Sequence, residues 1–284
     1  MEALMAETLK GQIAIITGGS RGIGLAIAQA FAAEGIAMAL VARSDEAVRM
    51  ASETIQGSGG RAIPLAADVT DQRAVAWVVE ETVRQLGPVG LLVNNAGSAS
   101  AAGPVWEVDS ETWWKDVTTN LLGTFLCSRA VLPGMIARQQ GRIINVVSAF
   151  GIHTRPESTP TPYASAYSSS KAGVMVLTEN LAAMTHMHGV RVFGFRPGFV
   201  RTALVEDGAR SPAGKRWIPE LQMVLDSGRL NSPELAARWV TFLASGEADG
   251  LSGRVMSATD ETTTLVARSD EIRREGRFSL RLIE

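Results

Sequence analysis

Tyr167 and Lys171 stand four residues apart in Ser165-Ala166-Tyr167-Ser168-Ser169-Ser170-Lys171-Ala172. Residues four apart share a helix face. An ammonium beside a phenol favours the phenolate, so the pair predicts a tyrosine pKa below its usual value of about 10 and a proton donor usable near neutral pH. A lone Tyr-x-x-x-Lys pair is as readily a solvated helix face, and it gains meaning from a second motif, Thr17-Gly18-Gly19-Ser20-Arg21-Gly22-Ile23-Gly24. That motif follows the apolar run 12–16, which reads as a buried parallel strand, and precedes the run 25–33, which reads as a helix. Strand, glycine turn and helix make the setting a dinucleotide needs. Glycines let the backbone approach a pyrophosphate, and the helix N-terminus offers N–H donors and the positive end of its dipole.

Together these residues resemble the short-chain dehydrogenase/reductase family, whose glycine motif and Tyr-x-x-x-Lys pair they match. Further matches follow in order: Asn94-Asn95-Ala96-Gly97, Asn120 within a long helical stretch, Ser148 at the end of the run 142–147, and Pro197-Gly198 with Thr202 beyond it. The resemblance spans residues 10 to 258. It implies a nicotinamide-dependent oxidoreductase with a catalytic tetrad of Asn120, Ser148, Tyr167 and Lys171. Ser148 and Tyr167 would hold a substrate oxygen, Tyr167 would transfer the proton, Lys171 would hold the nicotinamide ribose, and Asn120 would sit at a local bend and reach Lys171 through water. For the cofactor it implies contacts from Thr17, Gly18, Ser20, Arg21, Gly22, Ile23, Gly24, Asp68, Val69, Asn95, Ala96, Gly97, Tyr167, Lys171, Pro197, Gly198, Val200 and Thr202. Rival readings stay open: Ser148 as a strand-end cap, Asn120 as a solvent-facing helix residue, and Asp68 as part of a helix cap with Thr70 and Asp71.

The choice of cofactor turns on the end of the second strand, Leu40-Val41-Ala42-Arg43-Ser44. An acid there would bind a ribose 2′-hydroxyl, but the position is Ala42 and Arg43 follows, which suits a 2′-phosphate. Arg21 would add a second positive charge. NADP(H) is therefore expected over NAD(H); the competing reading leaves both arginines solvated and gives the ribose to Asp45. A related longer family would need glycine at Arg21, and a non-catalytic nucleotide sensor would be expected to lack the Tyr, Lys or Ser that are all present.

Positioning these groups requires alternating strands and helices. Strands are expected near 12–17, 37–42, 61–67, 90–94, 141–148, 190–196 and 254–258, with helices such as 71–86 and 110–138 between them. Such alternation predicts an α/β fold of Rossmann type, a doubly wound parallel sheet of about seven strands with helices on both faces, in one domain spanning 1–284. A net charge of −2 gives no electrostatic footprint for nucleic acid. Cys127 is the sole cysteine, which excludes an internal disulfide and reads as a packed helix residue. No metal-ligand set is called for. Residues 1–10 lack a signal-peptide core, no stretch approaches 18 uncharged apolar residues, so no membrane span is expected, and a cytoplasmic protein is expected.

Three segments depart from the family pattern. The gap from Ser148 to Tyr167 is long and rich in proline, the segment 201–230 falls where a substrate lid is expected, and 259–284 forms a C-terminal extension with a charged helical stretch from 261 to 275. Phe150, His153, Phe199, Leu204 and Trp217 are the candidate pocket wall, with His186 read as structural. An aromatic and aliphatic lining predicts a medium-sized, mainly apolar, neutral ketone or secondary alcohol. The stretch 110–138 carries more apolar side chains than one sheet-facing stripe needs, and 174–181 adds others. A homodimer or homotetramer is expected, with Phe278, Leu280 and Leu282 docking either on a neighbour or on the chain's own sheet edge.

Overall fold

Seven runs of branched and aliphatic residues form one all-parallel sheet in the computed structural model, which describes residues 9–151, 162–228 and 230–280. The strands are β1 (Ile13–Thr17), β2 (Ala37–Ala42), β3 (Ala62–Ala66), β4 (Leu91–Asn94), β5 (Gly141–Val146), β6 (Val190–Arg196) and β7 (Val255–Ser257), in the order β3-β2-β1-β4-β5-β6-β7. β1 is buried along its whole length, as a strand covered on both faces must be. The chain winds outward from β1 to β3, then returns to lay β4 on the other side of β1. That reversal opens a crevice beyond the carboxyl ends of β1 and β4, where open α/β sheets bind ligands. The outermost strand β3 pairs with β2 alone and carries Pro64, which has no N–H to give.

Helices cover both faces. One side holds α1 (Gly22–Ala33) and α2 (Asp45–Gly57), where Ile27, Phe31, Val48 and Ile55 pack with Phe193 and Phe195 of β6. The other holds α3 (Gln72–Gln85), α4 (Ser110–Val117), α5 (Gly123–Ala137) and α6 (Ser165–Thr185), with Val78, Leu126, Val131 and Leu181 packed on Ile15, Leu92 and Ile143. Ser44 caps α2 and Asp71 caps α3 through their side-chain oxygens. Three short helices, α7 (Ala203–Arg210), α8 (Pro212–Trp217) and α9 (Glu220–Asp226), occupy the expected lid segment. Then α10 (Pro233–Ser245) packs beside α1, and α11 (Thr262–Ala267) and α12 (Ser269–Arg274) follow β7.

The sheet agrees with the expected one strand for strand. The expected helix 110–138 is interrupted by a π turn at Thr118–Leu122 between α4 and α5. The reading that no stretch is apolar enough to cross a membrane is corrected: Ser110–Ala137, with a mean hydropathy of 1.3 over its most apolar window, has the length and composition to do so. Its inward face, Leu126, Cys127, Val131 and Met135, packs into the sheet-facing core. The extension forms two short helices rather than one. Beyond them, the Phe278 carbonyl accepts from Val255 N at 2.8 Å, and Glu179 of α6 accepts from Leu280 N at 2.8 Å. In the described residues the extension therefore lies against its own sheet edge. Residues 1–8, the proline-rich segment 152–161 with His153, and Leu282 lie outside the described residues.

Candidate active site

The glycine turn between β1 and α1 is held by close packing. A Cβ on Gly24 would lie 2.2 Å from the Gly18 carbonyl oxygen and 2.7 Å from Asn95 Nδ2, so only glycine fits. Gly18 and Gly22 take φ of +64° and +57°, in the left-handed region. Asn95 Nδ2 donates to the carbonyls of Thr17 (3.0 Å) and Gly18 (3.2 Å), and Thr17 Oγ1 accepts from the backbone N–H of Asn95 and Ala96. Thr17 and Asn95 thus brace the turn against the β4 end. No side chain caps α1, which leaves its first-turn N–H groups available to an anionic ligand.

A cleft of about 580 Å³ runs from this turn across the sheet end. Gly18, Ser20, Arg21, Gly22, Ile23, Arg43, Asp68 and Val69 line one part, and Asn95, Ala96, Gly97, Tyr167, Lys171, Pro197, Gly198, Val200, Thr202 and Leu204 line the rest. Thr17 and Gly24 sit behind the lining. Asn120, Ser148, Phe150, Phe199 and Trp217 are also outside it, although the first four stand close to groups that line it. Arg21 and Arg43 are exposed and make no ion pair or side-chain hydrogen bond among the described residues. Asp68 Oδ1 accepts from Thr70 N and Oγ1, while the helix cap itself is Asp71.

At the far end, α6 brings two polar side chains to the cleft. Tyr167 and Lys171 share its face toward β5, and the Tyr167 hydroxyl is hydrogen-bonded to Ser148 just beyond that strand. Ser148 Oγ also accepts from Phe150 N at 3.2 Å. Lys171 is buried and its Nζ donates to the Val146 carbonyl at 2.8 Å, 5.7 Å from the Tyr167 ring centroid. Phe150 meets Tyr167 edge-on at 6.0 Å and Phe199 edge-on at 5.9 Å, forming an aromatic wall beside the phenol. Trp217 stands apart from this wall. It packs against Tyr163 at 5.1 Å and over Gly103, whose absent Cβ would lie 3.4 Å from the indole.

Electrostatics correct one expectation. The lysine does not leave the phenol below its ordinary value: burial pushes Tyr167 up, the Ser148 hydrogen bond opposes this, and the Asp116 charge adds to it. Burial likewise lowers the Lys171 ammonium to about 8. In the chain alone, desolvation outweighs the mutual influence of the pair.

Asn120 lies in the π turn, fully buried, and not on a solvent-facing surface. Its Oδ1 accepts from Ser98 N (2.9 Å), and its Nδ2 donates to Ser98 O (2.8 Å) and Ser170 Oγ (2.9 Å). A Cβ on Gly97 would meet Asn120 Oδ1 at 3.1 Å and Lys171 Nζ at 3.8 Å, so the two side chains flank that glycine. Asn94, the first residue of the Asn94-Asn95-Ala96-Gly97 motif, forms a buried chain with Ser128, Asn145 and Thr178 that links β4, α5, β5 and α6, and Asp116 is buried one turn before Asn120. Ser128, Asn145, Thr178 and Asp116 were missed in the sequence. The available signal was a polar residue inside an otherwise apolar run.

The cradle of glycines, the uncapped helix start and the hydroxyl–ammonium cluster fit a nicotinamide dinucleotide laid along the cleft. Residues 12–212 match the short chain dehydrogenase family. The chain belongs to that family. This short-chain dehydrogenase is 34% identical over 268 residues to a short chain dehydrogenase of Pseudocercospora fijiensis, covering 93% of this chain and 85% of the relative. It is also 34% identical to the 3-oxoacyl-[acyl-carrier-protein] reductase FabG of Thermotoga maritima, covering 87% and 96%. Among solved structures, actinorhodin polyketide ketoreductase with NADPH superposes with a TM-score of 0.75 at 29% identity, covering 87% and 95%. The protein is thus an oxidoreductase of a family that uses a nicotinamide cofactor on small-molecule substrates.

Proposed function

We propose that this short-chain dehydrogenase is an NADP(H)-dependent enzyme that interconverts a ketone and a secondary alcohol on a medium-sized, mainly apolar, neutral substrate. The observation that carries the reading is the Ser148–Tyr167 hydroxyl pair above a buried lysine at the end of the cleft. A bound nicotinamide supplies or accepts the hydride. Ser148 and Tyr167 donate hydrogen bonds to the substrate oxygen and stabilise charge developing there. Tyr167 gives the proton, and Lys171 favours the phenolate it leaves behind. Lys171 can also donate to a ribose hydroxyl. Asn120 holds the stretch that follows the Asn95-Ala96-Gly97 run by accepting from the Ser98 N–H and donating to the Ser98 carbonyl.

Support for the 2′-phosphate comes from Arg21 and Arg43, two cations on one cleft wall with no ion pair among the described residues, and from Ala42 where an acid would otherwise stand. The Phe150–Phe199 wall and Leu204 support an apolar substrate. We take α7 to α9 as the substrate lid. Steady-state rates with NADPH and NADH over neutral ketones, diketones, keto acids and phosphates test this reading. NADPH should have the higher kcat/KM, and Arg43→Ala should weaken NADPH alone, by about 1.5–3 kcal/mol for a lost charged hydrogen bond. An equal loss with both cofactors, or turnover confined to charged substrates, would contradict it. We further propose a homodimer or homotetramer, because Trp114, Leu122, Phe125 and Val176 leave an apolar face exposed on α4 to α6.

A further inference from the structure

The indole of Trp217, the last residue of α8, lies outside the cleft lining, yet it is seated in a notch. Tyr163 packs on it with ring centroids 5.1 Å apart and planes at 43°. Gly103 leaves room for its edge. A Cβ there would lie 3.4 Å from both Trp217 Cδ1 and Nε1, and the φ of +143° also favours glycine. The Arg216 guanidinium covers the ring at 4.3 Å. The notch is one piece, because Gly103 N donates to the Tyr163 carbonyl at 2.8 Å. Its residues come from the connection after β4 and from the turn just before α6. The lid is rooted elsewhere. It leaves the sheet after Pro197-Gly198 and returns at Asn231, whose Nδ2 and backbone N–H donate to the carbonyls of Pro197 (2.7 Å) and Phe199 (2.8 Å). Trp217 therefore ties the segment after β6 to the segment after β4, and both segments line the cleft.

Helices α7 and α8 are locked to each other. A Cβ on Gly214 would lie 1.8 Å from the Gly208 carbonyl oxygen, and Ser211 Oγ accepts from Gly214 N (2.9 Å) while donating to that carbonyl (2.8 Å). Where Trp217 is held, α7 is held with it, and Leu204 and Val205 of α7 line the cleft. We propose that Trp217 is a positioning residue, the clasp that fixes the α7–α8 corner against the start of the Tyr167 helix and so sets the lid's part of the cleft lining. The inference rests on α7 to α9 being the substrate lid proposed above. The Arg216–Glu107 ion pair joins the same elements at 3.8 Å, but both side chains are exposed and such a pair contributes little. The seated indole carries the hold. Substrate enters and product leaves when this one side chain withdraws from the notch.

Hydrogen exchange of the backbone amides of 203–218, followed by mass spectrometry on the cofactor-free protein, tests the clasp without substrate. Trp217→Ala should speed exchange there by about tenfold, as a lost aromatic anchor frees a local unit. Alanine is the better helix former, so faster exchange cannot come from its own propensity. Trp217→Phe should restore most of the protection, and Glu107→Gln should change it by less than about twofold. Tyr163→Ala leaves the lid sequence intact and should match Trp217→Ala, with the double variant exchanging no faster than either. Native exchange in either single variant, additive acceleration in the double variant, or equal acceleration by Glu107→Gln would overturn the proposal. Tyr163→Ala decides the matter where Trp217→Ala fails to fold. With a neutral ketone that the native enzyme reduces, Trp217→Ala should lower kcat/KM through a higher KM while kcat is kept. A loss carried by kcat alone would also overturn the clasp. Absence of turnover with every ketone would instead fault the proposed substrate and leave the exchange result standing.

Discussion

Tyr167 is the residue whose loss should be felt most sharply. Tyr167→Phe keeps the ring in contact with Phe150 and removes only the hydroxyl bonded to Ser148. Turnover should fall by about two to four orders of magnitude, the range for a general acid, while NADPH binding, measured by fluorescence titration, stays near native. Near-normal turnover would remove the tyrosine from the mechanism. Lys171 gives a second test, read through stability. Its folded pKa of about 8 lies below the ordinary 10.5, so between those values the unfolded chain binds more protons and stability rises with pH. Below 8 the buried ammonium destabilises the fold by on the order of 3 kcal/mol. Lys171→Met in the cofactor-free protein should therefore raise the melting temperature at pH 7, and the advantage should shrink from pH 8 upward. The raised Tyr167 works in the opposite sense above 10, where stability it contributes is lost as pH climbs. A constant difference between the two proteins from pH 7 to 10 would show that the ammonium is not desolvated.

Among the elements, the β1–α1 turn tolerates least. Gly24→Ala sets a methyl 2.2 Å from the Gly18 carbonyl, so the turn or α1 must shift. Overpacking of this kind costs about 1–3 kcal/mol, and NADPH affinity should drop with it; calorimetry and cofactor titration on one sample would check both. Native stability together with native affinity would mean the turn can yield. This turn was legible in the sequence because its residues are adjacent and each glycine has a local steric reason. The strands were legible for a similar cause, being short branched-apolar runs bounded by turn residues. The π turn was legible only through the resemblance, which placed a local bend at Asn120; the apolar pattern itself continues on both sides of Thr118–Leu122 and hides the widened turn. Helices α7 to α9 run for six to eight residues, too few to establish a period. Asp116 and Asn145 escaped notice because their burial depends on partners far along the chain. The phenol's upward shift was unreadable because the sequence shows the neighbouring lysine but not the burial around the pair, complete for Lys171 and partial for Tyr167.

At the scale of the molecule, the proposed assembly would rest on the exposed α4–α6 face. Trp114 is 60% exposed, Phe125 43% and Val176 44%, while Leu126 and Val131 of the same α4–α5 stretch are buried against the sheet. A face of this kind on a chain of net charge −2 is suited to pairing with its own copy. Phe125→Glu should yield a monomer by light scattering at micromolar concentration with the sheet intact by circular dichroism. A native protein that is already monomeric would reject the interface. The two sheet edges bear on the same question. Pro64 in β3 lacks the N–H that an added strand would need, and the Phe278 carbonyl already takes the Val255 N–H of β7. Both rims are thus poor templates for β-augmentation. Concentrated or partly unfolded preparations should consequently associate through their helical faces into closed particles, instead of growing end to end as cross-β fibrils.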